Sequence, residues 1–477
     1  MIWLILLTAF ILRLVSINQS LWLDEAININ NAASLDLKSL VLNYSLGDFH
    51  PPLFHILLRG WILLFGTSEI ATRIPSVILG VFTVYLTYLI GQKLFERKTA
   101  LIAATLMATA PLAIYYSQEA RMYMLAAALA SLSTYFFISL IKKENLMLWF
   151  GFIISTALLL YTDYLPYLMI PVFIGYLFVN RQRIKKSTLR SFIPAFLLIL
   201  ILIAPWLIIL PKQLQVGLSA AAASPAWAQV VGSPNLKSLA VTFVKFTIGR
   251  ISTDNDLIYA LLFAPVAAFI IFLFLLSLFR TSHLRSILWY WLFGPIFLAF
   301  IIAQFVPIFA YFRFIFVLPA FYLIAASAIN TINWVPSTRL FLIIFLVINL
   351  IATIIYFMNP KFQREDWRQA TNFVHANASP KTIVLFESNF PAAPFDYYNK
   401  NKVPSFGALS GFNAEYEFVK QNLKKLTEDK DKIFLFQYLS QITDPQGLVS
   451  QELFNLGFTS SRIRDFNNVG FVYEFIR

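Results

Sequence analysis

Long apolar stretches, interrupted by short polar segments, fill the first 357 residues of the chain. A helix needs about 17–25 apolar residues to cross the hydrocarbon core of a bilayer. We therefore expect eleven membrane spans, near residues 1–17, 74–92, 99–115, 120–140, 147–162, 165–180, 191–210, 257–279, 286–305, 311–330 and 339–357. The first stretch lacks the basic start and cleavage site of a secretory signal peptide, and we interpret it as a span.

The basic residues of this part concentrate in short loops between the predicted spans. The loops 93–98, 141–146, 181–190, 280–285 and 331–339 hold 13 of its 23 lysines and arginines. Short basic loops face the cytoplasm. The pattern predicts a multi-pass protein of the plasma (inner) membrane with a cytoplasmic N-terminus. Because the number of spans is odd, we expect an extracytoplasmic C-terminus.

The acidic residues follow the opposite pattern. Nine of the 11 acids before residue 358 lie at predicted outer ends of spans or in outer loops: Asp24, Glu25, Asp36, Asp48, Glu69, Glu119, Asp163, Asp254 and Asp256. Acids in membrane segments are costly and usually mark function, although a skew of acids also complements basic inner loops. The pattern favours a site at the outer membrane surface.

Two long outer segments separate predicted spans. In the segment 18–73, the apolar stretch 51–66 begins with two prolines and contains an arginine, so we expect an amphipathic helix at the membrane interface. A similar surface helix is expected over 24–46. The segment 211–256 has small residues near 219–225, and it predicts a mobile loop that orders when substrate binds.

Residues 358–477 differ in composition, with 14 basic and 13 acidic residues in 120 positions. Helical periodicity at 365–378 precedes an apolar strand at 382–388, a helix near 413–427 and further strands at 432–438 and 469–475. Strands that alternate with helices predict a small extracytoplasmic α/β domain. It lacks a glycine-rich phosphate loop, and we expect a lid or scaffold.

Composition changes this picture little. The 477 residues are 59% hydrophobic and 13% charged, whereas soluble proteins are about 25% charged. A soluble, disordered or coiled-coil protein is excluded over the whole length, and the lack of cysteine excludes disulfides and thiolate chemistry. We expect a polytopic α-helical membrane protein, with a transmembrane domain at 1–357 and an α/β domain at 358–477.

Adjacent acids follow the first predicted span. Asp24 and Glu25 stand in the sequence LWLDEA, at a boundary between lipid and water. Such a pair can act as a base or hold a metal. It can also simply form the N-cap and first turn of a helix, and the pattern alone leaves these alternatives open.

Two further motifs combine an acid with a cationic or titratable partner. GDFHPPLF contains Asp48 and His50, and YYSQEARMY contains Glu119 and Arg121 near the start of the fourth predicted span. The histidine could bind a phosphate or a metal, or be a surface polar group. The acid of the second motif could be catalytic, or be stabilised by a helix dipole.

Asp163 in YTDYLPY and Arg313 in AYFRF each lie among aromatic residues at the predicted outer end of a span. An arginine in this setting suits a phosphate or diphosphate, or anchors the helix at the level of the lipid headgroups.

Taken together, these motifs resemble the bacterial glycosyltransferase family 39. The resemblance rests on LWLDEA, HPPL, EIATRIPS, GQKLF and YYSQEARMY, and it is clearest over residues 1–180. YFRF and DWRQA extend it further along the chain. The family is related to the protein O-mannosyltransferases and the lipid A aminoarabinose transferases, within the GT-C superfamily.

The resemblance implies a GT-C-like fold and a cell-envelope glycosyltransferase, a hexosyl- or pentosyltransferase. Its donor would be a sugar linked to polyprenyl phosphate, and its acceptor a lipid, protein or glycan on the outer face of the membrane. Transfer normally inverts the anomeric carbon. Nucleic acid is not an expected partner, since cytoplasmic loops account for the basic excess.

Catalytic roles follow from the same resemblance. Asp24 is similar to the family's acid at the end of the first span, which acts as the base or orients the nucleophile. Glu25 completes the pair, and Glu119 stands in the place of a second acid. No cofactor is certain; a divalent Mg²⁺ or Mn²⁺ ion, if present, would use Asp24 and Glu119.

The expected substrate-binding residues are Asp48, His50, Arg121, Asp163 and Arg313. The histidine stands where aminoarabinose transferases have a lysine that contacts lipid phosphate, and this departure makes the two arginines the next candidates for phosphate contact.

A polyprenyl-lipid or glycolipid transporter, or flippase, is the main alternative. Transporters show internal repeats and polar groups at the membrane midplane, and the eleven stretches show no such repeat. A non-catalytic scaffold would leave the outer acids unexplained.

Overall fold

The computed structural model describes residues 1–223, 232, 234–279, 281–331, 335–388, 392–409 and 416–477. The contacts divide the chain into two compact units. The membrane unit comprises Met1–Ile17, Leu35–Leu218 and Val231–Met358, and the C-terminal unit comprises Asn18–Ser34, Ser219–Val230 and Asn359–Arg477. The segment with Asp24 and Glu25 is thus grouped with the C-terminal domain, whereas the sequence placed it with residues 1–357.

Helices are numbered here along the whole chain. Up to residue 358 they are α1 (Ile2–Leu14), α2 (Leu23–Ser34), α3 (Leu53–Phe65), α4 (Glu69–Leu94), α5 (Arg97–Ala108), α6 (Pro111–Ser117), α7 (Tyr123–Lys142), α8 (Leu146–Leu160), α9 (Leu165–Val179), α10 (Lys186–Leu207), α11 (Leu210–Ala223), α12 (Leu236–Ile248), α13 (Asp256–Leu278), α14 (Ile287–Ile302), α15 (Tyr311–Thr331) and α16 (Val335–Met358). Short helical turns occupy 37–47.

The chain is a multi-pass membrane protein. Among the described residues, α4, α7, α10, α13, α15 and the Thr338–Met358 part of α16 are long and apolar enough to cross a membrane. Helices α5 and α6 form a pair bent by 57° that would make one more span. Each predicted span coincides with a helix, but α1, α8, α9 and α14 have only 10–17 residues. The predicted count of eleven is therefore not confirmed.

The bend between α5 and α6 has a chemical cause. Pro111 lacks the amide hydrogen that would bond the carbonyl of Met107 in a continuous helix. The fully buried Arg13 donates from Nη2 to the Met107 carbonyl (3.5 Å), from Nη1 to the Ala108 carbonyl (3.0 Å) and from Nε to Ser117 Oγ (3.0 Å). Its guanidinium satisfies the carbonyls at the break and fixes the direction of α6.

The predicted inner loops share one end of the membrane unit. Side chains from these loops, and from the helix ends beside them, bond to one another: Lys142 to Lys93, Arg285 to Leu94, Asn330 to Glu96, and Thr188 to Glu144. The charge pattern of the sequence therefore corresponds to one pole of this unit. That this pole faces the cytoplasm stays a prediction.

One prediction about the segments between spans is wrong. The helix expected over 24–46 ends at Ser34, and Asp36 starts a new turn by accepting a hydrogen bond from Ser39 N (2.8 Å). The segment 211–256 contains α11 and α12. Helix α12 begins with a capping box in which Asn235 and Ser238 bond each other's backbone. The expected mobility of this segment, and its ordering when substrate binds, stay predictions. Of the small-residue run, positions 224 and 225 lie outside the described residues.

The helix predicted over 51–66 is confirmed as α3, and Pro52 precedes its first residue. Its position at the membrane interface stays a prediction.

The C-terminal unit is built around one sheet. Its later elements of five or more residues are α17 (Trp367–Asn377), β1 (Thr382–Ser388), α18 (Ala393–Asn399), β2 (Ser405–Leu409), α19 (Tyr416–Thr427), β3 (Lys432–Phe436), α20 (Leu448–Asn455), β4 (Thr459–Phe466) and β5 (Gly470–Ile476). The strand order is β2-β1-β3-β5-β4. Strand β1 is parallel to β2 and β3, whereas β5 is antiparallel to β3 and β4.

Both faces of this sheet are covered. Val384 and Phe386 pack in a core with Trp367 of α17, and the alternate residue Leu385 packs in a second core with Leu423 of α19. Because successive strand residues point to opposite faces, a strand buried on both sides appears as a continuous apolar run. This is why the sequence predicted β1, but not the exposed β4 or the short β2.

Candidate functional site

A buried polar cluster in the membrane unit is centred on Asp48. Its Oδ2 lies 3.2 Å from His50 Nδ1 and 3.2 Å from His55 Nε2. Its Oδ1 accepts a hydrogen bond from the Tyr44 hydroxyl (3.2 Å) and lies 3.9 Å from Arg121 Nη1. The structure thus brings together three of the predicted substrate-binding residues and adds a histidine and a tyrosine.

The backbone shape of GDFHPPLF forms this cluster. Phe49 has a φ of 60°, in a region that residues with a side chain enter uncommonly. The resulting turn brings His50 Nδ1 to 2.7 Å from the carbonyl of Asp48. Leu53 N then donates to the carbonyl of Tyr161 (3.1 Å), which ties the start of α3 to the end of α8.

The electrostatics of the cluster favour an ionised Asp48. Burial alone would raise the pKa of this carboxyl, but hydrogen bonds and charge from His50 and His55 hold the pKa well below its usual range. The cluster therefore keeps a fixed negative charge among three cationic or titratable side chains.

Glu119 and Arg121 lie in a turn that precedes α7, not in the helix itself. Both are buried, the first of them completely. The turn is fixed by Gln118, whose Nε2 donates to the carbonyls of Arg13 (3.0 Å) and Val15 (2.6 Å). The prediction that these residues lie near the start of a span agrees with α7, but the chain stays in a turn until Tyr123.

Arg250 is a candidate that the sequence interpretation missed. The residue is exposed, and its guanidinium stacks 4.7 Å from the ring centre of Tyr115 and hydrogen-bonds to the hydroxyl of that residue. It also interacts electrostatically with Tyr116, Glu119 and Tyr311. A planar cation held this way suits an anionic ligand. The sequence did contain one indication of this residue: it is a basic residue in a predicted outer loop, and the predicted topology places few basic residues in such loops.

The loop that carries Arg250 is held on both sides. Gly249 has a φ of 66°, and a Cβ atom there would lie 3.0 Å from Pro111 Cβ, so glycine allows the loop to approach α6. Lys245 Nζ donates to the carbonyl of Ile251 (2.5 Å). Burial, aided by the charge of Arg250, lowers the pKa of this lysine to about 7.

Asp163 is buried, and its Oδ1 accepts a hydrogen bond from Tyr164 N (2.7 Å). The Tyr164 hydroxyl bonds to Gln213 of α11, whose amide in turn bonds to the carbonyl of Ser45. The predicted acid therefore lies in a segment that hydrogen bonds connect to the loop of Asp48.

Arg313 lies half-buried in the first turn of α15. Among the described residues, its guanidinium makes no hydrogen bond or ion pair. Its neighbour Phe312 stacks on Tyr116, with ring centres 6.0 Å apart, and packs edge-on against Tyr123 at 5.8 Å. These contacts place its backbone beside the aromatic rings that follow α5.

Asp24 and Glu25 form the first turn of α2 within the C-terminal unit. Glu25 is completely buried, and Asp24 is half-buried. The predicted catalytic acids thus belong to different units, since Glu119 is part of the membrane unit.

The described residues contain no group of three or more His, Asp or Glu side chains that could hold a metal ion. In the cluster of Asp48, the carboxylate contacts one nitrogen of each imidazole, His50 Nδ1 and His55 Nε2. The geometry therefore does not define a metal site, and magnesium or manganese dependence stays an untested prediction.

An apolar cavity of about 720 Å³ lies among α12, α13 and α14. Val244, Phe263, Phe274 and Phe293 line it, together with Tyr259. The ring of Tyr259 lies 5.5 Å from Lys245 Nζ, so one wall of the cavity adjoins the helix that ends at the loop of Arg250.

Comparison with known proteins found a match of part of the sequence to a family. Residues 49–209 match the sequence model of the family described as dolichyl-phosphate-mannose-protein mannosyltransferase. That range includes His50, Glu119, Arg121 and Asp163. A comparison of the sequence with curated proteins found no significant match.

Several solved structures share the architecture. ArnT from Cupriavidus metallidurans, in the apo state, has a TM-score of 0.58 at 12% identity, over 99% of this chain and 97% of its own. The archaeal oligosaccharyltransferase AglB from Archaeoglobus fulgidus, in complex with an inhibitory peptide and a dolichol-phosphate, also reaches 0.58 at 12% identity, over 99% of this chain and 74% of its own.

The arabinofuranosyltransferase AftD from Mycobacteria has a TM-score of 0.52 at 12% identity, over 100% of this chain and 41% of its own. A second ArnT structure, bound to undecaprenyl phosphate, has a TM-score of 0.56. The chain therefore has the fold of the GT-C glycosyltransferases, and ArnT and the protein mannosyltransferases are among the proteins that it resembles.

Proposed function

We propose that this protein is a membrane glycosyltransferase. It moves a sugar from a polyprenyl-phosphate-linked donor to a lipid, protein or glycan acceptor on the outer face of the plasma membrane, with inversion of the anomeric carbon. The pole with the basic loops faces the cytoplasm, and the C-terminal domain is extracytoplasmic. The observation that carries the proposal is the set of cationic side chains around Asp48 and Tyr115 in a GT-C fold.

The donor phosphate is bound by cationic groups of the membrane unit. Arg250 is the leading candidate, because its guanidinium is held against the aromatic face of Tyr115. Arg121 and His50, both fixed by Asp48, are the other candidates. Planar guanidinium groups suit a phosphate because they donate two parallel hydrogen bonds.

The lipid chain of the donor occupies apolar surface. The cavity among α12, α13 and α14 is apolar and reaches Tyr259, beside Lys245. An isoprenoid chain gains free energy of about 25 cal/mol for each Å² of apolar area that leaves water. The cavity wall that contains Tyr259 therefore suits the isoprenoid units of the donor that lie next to its phosphate.

The reaction is a single displacement. Asp24 removes the proton from the acceptor hydroxyl, whose oxygen bonds to the anomeric carbon as the bond from that carbon to the phosphate oxygen breaks. The electron pair leaves with the polyprenyl phosphate, and the arginines stabilise its growing negative charge. Attack from the face opposite to the leaving group inverts the anomeric carbon.

A direct test uses the purified full-length protein in lipid nanodiscs. A panel of polyprenyl-phosphate sugars is added with candidate acceptors, and mass spectrometry follows donor consumption and product. Asp24→Asn is expected to abolish transfer, because the base is lost while the volume is kept. Asp36→Asn, the same change at an exposed acid of the same outer segment, is expected to retain wild-type turnover.

Each other outcome has a defined meaning. Wild-type turnover by Asp24→Asn would overturn its role as the base. Movement of intact donor between leaflets, without any chemical change, would overturn the transferase proposal in favour of a flippase.

A further inference from the structure

The segment that carries Asp24 is built into the C-terminal domain. Several hydrogen bonds join residues 18–30 to the later part of this domain. Two of them are donated by the segment: Leu21 N donates to the Tyr398 hydroxyl (2.8 Å), and Asn30 Nδ2 donates to the Ala393 carbonyl (3.1 Å). Two others are accepted by it: Ser20 Oγ accepts from Arg368 N (3.1 Å), and Gln19 Oε1 accepts from Arg364 N (2.9 Å). Leu23 also packs against the core of Trp367. The position of α2 is therefore set by residues that follow it by more than three hundred positions.

One carboxylate is central to this attachment. Glu365 Oε2 accepts hydrogen bonds from Trp367 Nε1 (2.7 Å) and from the amide of Leu23 (3.3 Å), and its Oε1 accepts one from the Tyr438 hydroxyl (2.8 Å). The two side-chain donors are themselves packed, with ring centres 4.9 Å apart at 73°. The carboxylate is thus held by a rigid core and holds the first amide of α2.

We infer that Glu365 is a positioning residue for Asp24: it anchors the amide of Leu23 and so fixes where the next side chain of α2 lies. This inference rests on the proposed function, in which Asp24 is the base. A displacement of about 1 Å in a reacting group can cost 10²-fold in rate. An anchor one residue away from the base is well placed to prevent it.

Two titratable side chains interact with Glu365. Asp24 interacts with it electrostatically, and the Tyr438 hydroxyl hydrogen-bonds to it. Burial, with a contribution from Asp24, raises the pKa of Glu365 to about 7 against the effect of its hydrogen bonds. Glutamine can keep the bond to Leu23 N through its carbonyl oxygen, so it is the conservative replacement.

The test compares Glu365→Leu, Glu365→Gln and wild type as full-length proteins in nanodiscs. Glu387→Leu is the matched control, because it removes another buried carboxyl of the same domain, one that accepts from Thr443 Oγ1 (3.1 Å). The readouts are kcat and donor KM, and amide hydrogen exchange of the peptides that cover residues 18–34. The exchange readout does not depend on activity.

Glu365→Leu is expected to lower kcat at least tenfold, to change donor KM less than twofold and to speed exchange across residues 18–34. Glu365→Gln is expected to restore most of kcat and protection. Tyr398→Phe, which removes the acceptor for Leu21 N, is expected to act in the same direction by a factor of about 3, the equivalent of part of one hydrogen bond.

Three results would overturn the inference: unchanged exchange across 18–34 in Glu365→Leu, unchanged kcat despite faster exchange, or an equal effect of Glu387→Leu on both readouts. Failure of the proposed base is recognised separately, since Asp24→Asn would then keep its turnover whatever Glu365→Leu does to exchange.

Discussion

Arg121 Nη1 lies 3.9 Å from Asp48 Oδ1, and this ion pair joins the loop before α3 to the turn before α7. Both side chains are largely shielded from solvent, at 6% and 12% exposure. Because a buried charge is costly without a partner, the opposite charges of the two residues stabilise each other. Nothing in the sequence pairs the two motifs; the fold does.

Asp48→Asn should disable the site without unfolding the protein. The change keeps the volume but removes the charge that His50, His55 and Arg121 face, so we expect transfer to fall about 10²-fold through misplacement of these groups. Steady-state turnover in nanodiscs measures the effect. Turnover within twofold of wild type would show that the cluster is structural only.

The lowered pKa of Asp48 predicts how the stability of the protein changes at acidic pH. Because the pKa of Asp48 is lowered in the folded protein, its contribution to stability is present above about pH 4, the ordinary pKa of an aspartate, and is lost as the pH falls further. Thermal unfolding followed from pH 7 to pH 3 should therefore show a smaller acid-induced loss of Tm in Asp48→Asn than in wild type.

Arg250 should be needed for its planar shape as well as its charge. We expect Arg250→Gln to lower kcat/KM for the donor about 100-fold, and Arg250→Lys about tenfold, because lysine keeps the charge but loses stacking on Tyr115 and paired donation to phosphate. Lys212→Gln, at an exposed base on α11, is the control and should have little effect. Equal activity of the lysine variant and wild type would show that charge alone suffices.

Arg13→Met should destabilise the membrane unit. The substitution leaves the carbonyls of Met107 and Ala108 without the guanidinium at the break before Pro111, at a cost of about 2 to 3 kcal/mol. The expected result is a lower Tm of the purified protein, with a smaller loss in Arg13→Lys. An unchanged Tm in both variants would contradict the assigned role of this arginine.

The C-terminal domain should be more stable at mildly acidic pH than at alkaline pH. Burial raises the pKa of Glu365 to about 7 and, with the charge of Asp444, that of Glu387 to about 8. Between the unfolded pKa of about 4.3 and these values the folded state binds more protons, so stability falls as the pH rises through this window.

Hydrogen exchange of the β1 peptides in the full-length protein, compared at pH 5.5 and pH 8.5 after correction for intrinsic rates, checks this dependence. Glu365→Gln combined with Glu387→Gln should flatten it. Unchanged dependence in the double variant would assign it to other groups.

The sequence could predict part of the site because its chemistry lies in short local motifs. Asp48 and His50 are two positions apart, and a turn with Phe49 at positive φ was sufficient to join them. Arg250 and His55 were missed because each stands alone in an apolar or small-residue context. The role of Arg250 depends on Tyr115 and that of His55 on Asp48, and only folding brings these residues together.

By itself, the sequence determined that the chain crosses a membrane many times, that its basic loops share one pole, and that an α/β domain follows residue 357. These are consequences of hydrophobic periodicity and local charge, which act over one helix or strand. Only the tertiary structure decided that Asp24 is held by the C-terminal domain and that Arg13 caps a broken helix. Such contacts join residues distant in sequence, and they depend on how completed helices and strands pack.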